Sequence, residues 1–195
     1  MTTRYYDGER IYFRPLEPED APRLAGWFND PENWRTLGRF QPMSKLRERE
    51  YIEALYKSND HLVLGVVIRK DNRLIGCAGL SGICPVNRSA EFGITIGDRR
   101  RQGLGLGREA THLMLRYGFE ERNLNRIELS VFADNERAVR AYRAAGFVLE
   151  GRLRQAYYRN GQYHDCLRFA ILREDWQADR LDDKAGESAL ASMTV

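Results

Sequence analysis

Cysteine and histidine are scarce in this chain of 195 residues, with three of each. Cys77, Cys84 and Cys166 form no C-x-x-C pair, and a reducing cytoplasm is the simple expectation. His61, His112 and His164 are scattered, so no metal site can be read. Long apolar runs are also missing. Nothing approaches the ~20 residues of a membrane span, and the first residues carry no apolar core of a signal peptide. Charge of one sign is not in excess. A net charge of +3 is too small to argue for nucleic acid, and no basic stripe interleaved with aromatics accompanies Arg99-Arg100-Arg101. Charged residues at 30% and hydrophobic ones at 43% describe an ordinary soluble protein. There is no internal repeat. The length suits one domain, predicted over residues 1–176, with a polar, mobile tail over 177–195.

Glycine, by contrast, is concentrated where it carries information. Gln102-Gly103-Leu104-Gly105-Leu106-Gly107 follows an apolar strand-like run and opens a helical pattern. Glycines at alternate positions strip the Cβ atoms from one side of the loop, so backbone N–H groups can approach a ligand closely. The helix that follows adds unpaired N–H groups and a positive dipole end, a place suited to a diphosphate. Arg101 and its neighbours read equally as cations beside such phosphates or as a solvated turn. A dinucleotide-binding loop should lie between the first strand and helix of a βαβ unit, with G-x-G-x-x-G spacing. A nucleotide-triphosphate loop should end in G-K-[ST]. This loop lies mid-chain and ends in Gly107-Arg108, so both lose ground.

Periodicity predicts the surrounding elements. Residues 9–14 alternate as a strand ended by Pro15. Residues 17–28 read as a helix with Leu16, Leu24, Trp27 and Phe28 inward, broken by Asn29-Asp30-Pro31. Ser44 caps a second helix to about Lys57, with Ile52, Leu55 and Tyr56 as its buried stripe. Strands are expected over 61–69, 74–80 and 89–97, then a helix over 105–122, a strand over 126–132 and a helix over 135–145. Strands over 148–159 and 162–172 flank Asn160-Gly161, a tight-hairpin signal. The class is α+β: a mixed, mostly antiparallel sheet flanked by helices on both faces, in the order β-α-α-β-β-β-α-β-α-β-β.

That order, with this loop, resembles the GNAT superfamily of acyl-coenzyme A-dependent N-acetyltransferases. Gln102-x-x-Gly105-x-Gly107 matches the family's loop for the coenzyme A diphosphate. The strand Ala90-Glu91-Phe92-Gly93-Ile94-Thr95-Ile96 is similar to the one preceding it. Asn135-x-x-Ala138-x-x-x-Tyr142-x-x-x-Gly146-Phe147 matches a second signature. Glu150-Gly151-x-Leu153-Arg154 and Asn160-Gly161-x-Tyr163-x-Asp165 resemble the closing hairpin of the branch that holds ribosomal-protein N-terminal acetyltransferases and spermidine acetyltransferase. The extra Gly103 departs from the pattern, and Leu104 and Leu106 fall at positions where the family tolerates many residues.

The resemblance implies acetyl-coenzyme A as co-substrate, no metal, and direct attack by a primary amine in a ternary complex. It makes Arg101, Gln102, Gly103, Leu104, Gly105, Leu106 and Gly107 the diphosphate-binding set. Ile94, Thr95 and Ile96 would offer backbone groups to pantetheine, with one N–H polarising the thioester carbonyl. Asn135, Ala138 and Tyr142 complete the cofactor contacts, although a helix cap alone explains Asn135. Tyr142 is the general acid for the leaving thiolate, or an aromatic packing residue. Glu91 is either a base acting through water or a carboxylate bonded to a neighbouring strand. His164-Asp165 makes a poor dyad, because adjacent strand residues face opposite ways.

The acceptor is less legible. Residues 17–32 are acidic and residues 35–57 basic on balance. A protein N-terminus or a small-molecule primary amine is the leading reading. Spermidine, which would want carboxylates along its groove, is the runner-up, and a non-catalytic acyl-coenzyme A sensor stands apart from both. Neither nucleic acid nor membrane is expected as a partner. The closing strands offer an edge for a homodimer.

Overall fold

The computed structural model describes residues 4–38 and 41–177. The tail expected from 177 onward lies, from residue 178, outside the described residues. One sheet of eight strands organises the chain, in the spatial order β1-β2-β3-β4-β5-β6-β8-β7. The strands are β1 (Tyr6–Asp7), β2 (Ile11–Pro15), β3 (Leu62–Ile68), β4 (Arg73–Cys84), β5 (Ser89–Ile96), β6 (Arg126–Phe132), β7 (Val148–Arg159) and β8 (Gln162–Leu172). Every neighbouring pair is antiparallel except β5 and β6. That parallel pair needs a crossover, supplied by helix α4 (Leu106–Arg116) and the wider π-type turn Tyr117–Glu121.

Alternation along the strands divides the core into two layers. Ile11 and Phe13 of β2 face one way, into a cluster with Leu64, Val66, Ile75 and the α4 residues Ala110, Leu113 and Met114. Tyr12, between them, faces the other way, into a cluster with Leu24 and Phe28 of α1 (Ala21–Asn29) and Ile52 of α3 (Lys45–Leu55). All three β2 residues are therefore buried, as a central strand between two helical layers requires. Ala138, Val139 and Tyr142 of α5 (Glu136–Arg143) pack on the α4 side. Helices thus cover both faces, as the sequence predicts.

Three local readings need correction. The break expected at Asn29-Asp30-Pro31 is present, since α1 ends at Asn29 and Asp30 is extended, but the sequence reading missed the helix that starts there. The Asp30 side chain accepts from the Glu32 N–H at 2.9 Å, and Pro31 occupies the first turn of a further helix, α2 (Pro31–Leu37). The pair is a helix start, with Pro placed where its missing N–H costs nothing. The stripe of α3 is also different: Ile52 is buried, but Tyr56 is exposed and Glu48 takes an inward position. Tyr56 lies outward because its hydroxyl reaches back to donate to the Leu16 carbonyl. Finally, β1 is an added short strand pairing with β2.

A side-chain clamp fixes α4 against the start of the sheet. Glu109, in the first turn of α4, accepts from the Arg10 N–H at 2.7 Å, the Arg10 Nε at 2.8 Å and the Ile11 N–H at 3.2 Å. Arg10 Nη1 also donates to the Leu104 carbonyl at 2.9 Å. The glycine loop is thereby tied from behind to β2. Glu109→Ala leaves two backbone donors and a guanidinium without their acceptor. We expect it to cost about 1–3 kcal/mol, read as a lowered urea midpoint at unchanged slope.

Candidate active site

The parallel ladder between β5 and β6 is short. Ser89, Ala90 and Glu91 pair with Arg126, Ile127 and Glu128, and the register then stops. Beyond it the two strands splay. Phe92–Ile96 on one side and Ser130–Phe132 on the other line a cavity of about 610 Å³. Strand β5 keeps its ladder to β4 on its other edge, so its opened edge presents backbone to the cavity. This places Ile94, Thr95 and Ile96 where an extended chain of amide groups would pair with them.

The glycine loop lies at one end of the cavity. Gly103 and Gly105 have φ of 75° and 77°, a left-handed backbone that favours glycine, and Gly105 is the N-cap of α4. Gly103, Gly105 and Gly107 line the cavity with Arg101, Arg108 and Arg137. Backbone donors, a helix start and cations at one end suit a diphosphate. Leu104 and Leu106 are placed differently from the glycines. The Leu106 side chain is in the core and Leu104 is exposed, so neither side chain lines the cavity. Only their backbone is available for the cofactor contacts expected of them.

Gln102 lines the cavity, yet its amide is engaged by the protein. Its Nε2 donates to the Ile96 carbonyl at 2.7 Å and to Asn33 Oδ1 at 3.0 Å, while its Oε1 accepts from Arg137 Nη1 at 3.1 Å. The buried Asn33 in turn donates to the carbonyls of Trp27 and Gly97, both at 3.1 Å. Gly97 permits this closeness, since a Cβ there would stand 2.2 Å from the Trp27 ring. Asn33 was not legible as a site residue: a lone Asn in a charged helix carries no pattern. Arg101 lines the same region and pairs with Asp71 at 3.5 Å.

Helix α5 closes the other side of the fork. The Asn135 side chain accepts from the Ala138 N–H at 3.2 Å, so it is a helix cap, and both residues line the cavity. Tyr142, two turns on, also lines it. Its ring packs edge-on against Phe92 at 6.3 Å and Phe147 at 5.8 Å between centroids. Burial pushes its phenol up to about 12, so it stays protonated far above neutral pH. Packing and a protonated hydroxyl coexist in this residue.

Glu91 is set off from the cavity lining. Its Oε1 accepts from Ser130 Oγ at 3.2 Å and lies 3.6 Å from Arg168 Nη1. Arg168 also reaches Glu128 at 3.7 Å and donates to Ser130 Oγ. Ser130 does line the cavity, so Glu91 stands one hydroxyl behind it. The structure thus places Glu91 in a cross-strand brace at the root of the fork. His164 and Asp165 diverge as expected: His164 Nδ1 is 3.3 Å from Asp134, while Asp165 accepts from Arg152 at 2.6 Å.

The opposite end of the cavity is walled by Phe28, Leu37, Tyr51, Phe132 and Tyr157, with Glu48 the sole carboxylate among the described lining residues. Glu48 is 1% exposed. Sequence periodicity missed it, because a Glu among Arg47, Arg49 and Glu50 reads as part of a solvated face. No group of His, Cys, Asp and Glu able to hold a metal occurs among the described residues. No helix among them is long and apolar enough to cross a membrane.

Comparison with known proteins meets this geometry. The model of the acetyltransferase (GNAT) domain matches residues 10–148. The chain is 31% identical over 181 residues to YdaF of Bacillus subtilis, provisionally named a ribosomal N-acetyltransferase, covering 88% of this chain and 96% of that one. It is 39% identical over 170 residues to spermidine N(1)-acetyltransferase of Vibrio cholerae, covering 86% and 95%. A crystal structure of spermidine N-acetyltransferase from Vibrio cholerae with CoA and spermine superposes with a TM-score of 0.82 at 29% identity, over 87% of this chain and 99% of that chain. A forked sheet with a glycine loop at one end of the opening, together with these matches, makes the chain a member of the GNAT acetyltransferase family, an acetyl-coenzyme A-dependent N-acetyltransferase.

Proposed function

We propose that this enzyme acetylates a primary amine borne by a protein N-terminus or a small molecule, and that a polyamine is not its preferred acceptor. Charge distribution carries the reading. At the end away from the glycine loop, the described lining residues hold one carboxylate, Glu48, among the aromatic and apolar side chains of Phe28, Leu37, Tyr51, Phe132 and Tyr157. A polyamine wants several carboxylates spaced along its groove, whereas a single ammonium needs a single anion. The similarity to spermidine acetyltransferases favours the second reading, a polyamine acceptor.

The reaction divides among the residues as follows. Acetyl-coenzyme A supplies the activated acyl group. The glycine loop from Arg101 to Gly107 holds its diphosphate, the opened edge at Ile94–Ile96 aligns its amide-bearing arm, and Asn135 and Ala138 border that arm. The acceptor ammonium gives up one proton before attack, to Glu91 through Ser130 and water. The neutral nitrogen then attacks the thioester carbonyl and the C–S bond breaks. The nitrogen's second proton is lost as the sulfur gains one, so a single proton is released per turnover. Tyr142 serves the departing sulfur. With its phenol near 12 and a thiol near ~8.5, complete transfer from Tyr142 would run uphill by roughly 5 kcal/mol. Its contribution is therefore a hydrogen bond to charge developing on sulfur, which needs no complete transfer.

The domain is taken to span residues 1–176, to work in the cytoplasm with its cysteines free, and to form a homodimer through the exposed edge strand β7. A monomeric mass by light scattering at working concentration would remove the dimer.

Tyr142→Phe is expected to lower kcat on the order of 10²-fold while leaving the coenzyme A Kd from calorimetry unchanged. Equal turnover by the variant would leave Tyr142 a packing residue. Because the phenol's pKa is raised, its protonated form persists as pH rises, and no alkaline loss of kcat from this group should appear below about pH 11. The acceptor is tested by thiol release with peptides bearing free N-termini, amino sugars, aminoglycosides and spermidine. A kcat/KM highest for spermidine would overturn the preference stated here.

A further inference from the structure

Arg159 ends strand β7, just before the Asn160-Gly161 turn, at a position no signature motif covers. It touches the cavity-bearing elements from three directions. Its Nη1 donates to the carbonyl of Arg35 in α2, its Nη2 pairs with Asp134 at 2.6 Å, and its guanidinium carbon lies 4.8 Å from the centroid of the Phe132 ring. His164, on the facing strand, adds to the cluster through Asp134 at 3.3 Å. The Arg159 side chain is 18% exposed. Its burial and planar donor fork make it a structural tie of a kind lysine cannot copy.

The elements joined are those that form the acceptor end. Helix α2 contributes Asn33, Thr36 and Leu37 to the cavity, and Gly38 follows in a left-handed cap. A Cβ on Gly38 would sit 3.5 Å from the Phe132 ring and 3.6 Å from the Tyr157 ring. Phe132 and Tyr157 themselves meet edge to face at 4.8 Å. The end of α2 thus roofs an aromatic corner, and Arg159 bolts the roof to the wall. Asp134, the second anchor, immediately precedes Asn135, which caps the helix carrying Tyr142. Arg159 contacts neither the glycine loop nor the opened edge of β5.

We propose that Arg159 is the positioning residue for the amine acceptor. It fixes α2 over the Phe132–Tyr157 corner and so sets acceptor affinity and alignment, while leaving coenzyme binding alone. The corner it closes is aromatic and its own charge is matched by Asp134, so it suits the carbon skeleton next to a single ammonium. This inference rests on the acetyltransferase reading for its kinetic consequence but not for its structural one.

The test compares the wild type, Arg159→Ala and Arg159→Lys in the full chain. Hydrogen exchange is followed in residues 31–38 and in α4, and steady-state kinetics with the best amine from the panel are measured alongside calorimetric coenzyme A binding. With Arg159→Ala, exchange in 31–38 should accelerate while α4 stays protected. The acceptor KM should rise on the order of 10-fold or more, with acetyl-coenzyme A KM and coenzyme A Kd within about twofold. Arg159→Lys should fall between, since one ammonium cannot serve the Arg35 carbonyl, Asp134 and the Phe132 face together. Unchanged exchange in 31–38 would overturn the tie. A parallel rise in both KM values would overturn the positioning role and leave a merely structural residue. Absence of turnover in the wild type would sink the acetyl-transfer reading, with the exchange result still deciding whether Arg159 holds α2.

Discussion

Strands β5 and β6 run side by side for three register pairs and then part, and the cavity exists because of that parting. A sheet that stayed paired would have satisfied its own backbone and left nothing to bind with. Here the β4 ladder holds β5 on one edge while the other edge is released into the opening. The fork must be held open without fraying. On one face Tyr142 and Phe147 pack against Phe92 where the strands begin to diverge. On the other face the Glu91–Ser130 hydrogen bond and Arg168 stitch β5, β6 and β8 together at the root. The opening is therefore bounded by an apolar wedge above and a charged brace below.

Polarity is sorted along the cavity by which elements reach it. The glycine loop and α5 bring Arg101, Arg108 and Arg137, and the helical layer brings Glu48 with Phe28, Leu37 and Tyr51. Gln102 and Asn33 couple the two regions. A single hydrogen-bonded chain runs from Trp27 and Gly97 through Asn33 and Gln102 to Arg137. Each amide in it spends its donors and acceptors on protein, so the loop is fixed before any ligand arrives. Preorganised backbone donors cost no reorganisation when charge is bound, which is where such a site gains over water. The residue that the family motif marks most strongly, Gln102, thus acts on the loop from within the protein.

Legibility in the sequence followed the length of the pattern. Strands β6, β7 and β8 were readable to the residue because alternation and the Asn160-Gly161 turn both mark them. Tyr142, Asn135 and the loop glycines could be singled out because fixed spacing on one helix or one turn survives in one dimension, and the structure brings them to the lining of one cavity. Asn33, Glu109, Arg159 and Arg168 were not found. Each works across a sequence separation of tens of residues, with Arg35 to Arg159 and Arg10 to Glu109 as the longest bridges, and no local periodicity records such a partner. Glu48 escaped for a different reason: binary patterning assigns a carboxylate outward, and its inward place beside the cavity is set by tertiary packing that the pattern does not record. The break expected at Asn29-Asp30-Pro31 is there, but Asp30-Pro31 also starts α2 through the Asp30 cap, and the sequence reading took only the first of its two meanings.

The proposed acid and base lie on opposite sides of the same strand. Phe92, which packs on Tyr142, and Glu91, which bonds Ser130, are consecutive in β5 and so point to opposite faces. Acetyl transfer requires two proton movements at different atoms, one from the attacking nitrogen and one toward the leaving sulfur. A fork in a sheet separates those tasks in space. In the proposed arrangement the acyl-bearing arm would lie along the opened edge with its sulfur on the α5 side, and the amine would come from the side of α1–α3 and the closing hairpin. Neither proton group needs to cross the path of the other. The raised pKa of Tyr142 follows from its surroundings, an apolar core that opposes charge, whereas Glu91 lies on the polar face beside Ser130 and Arg168.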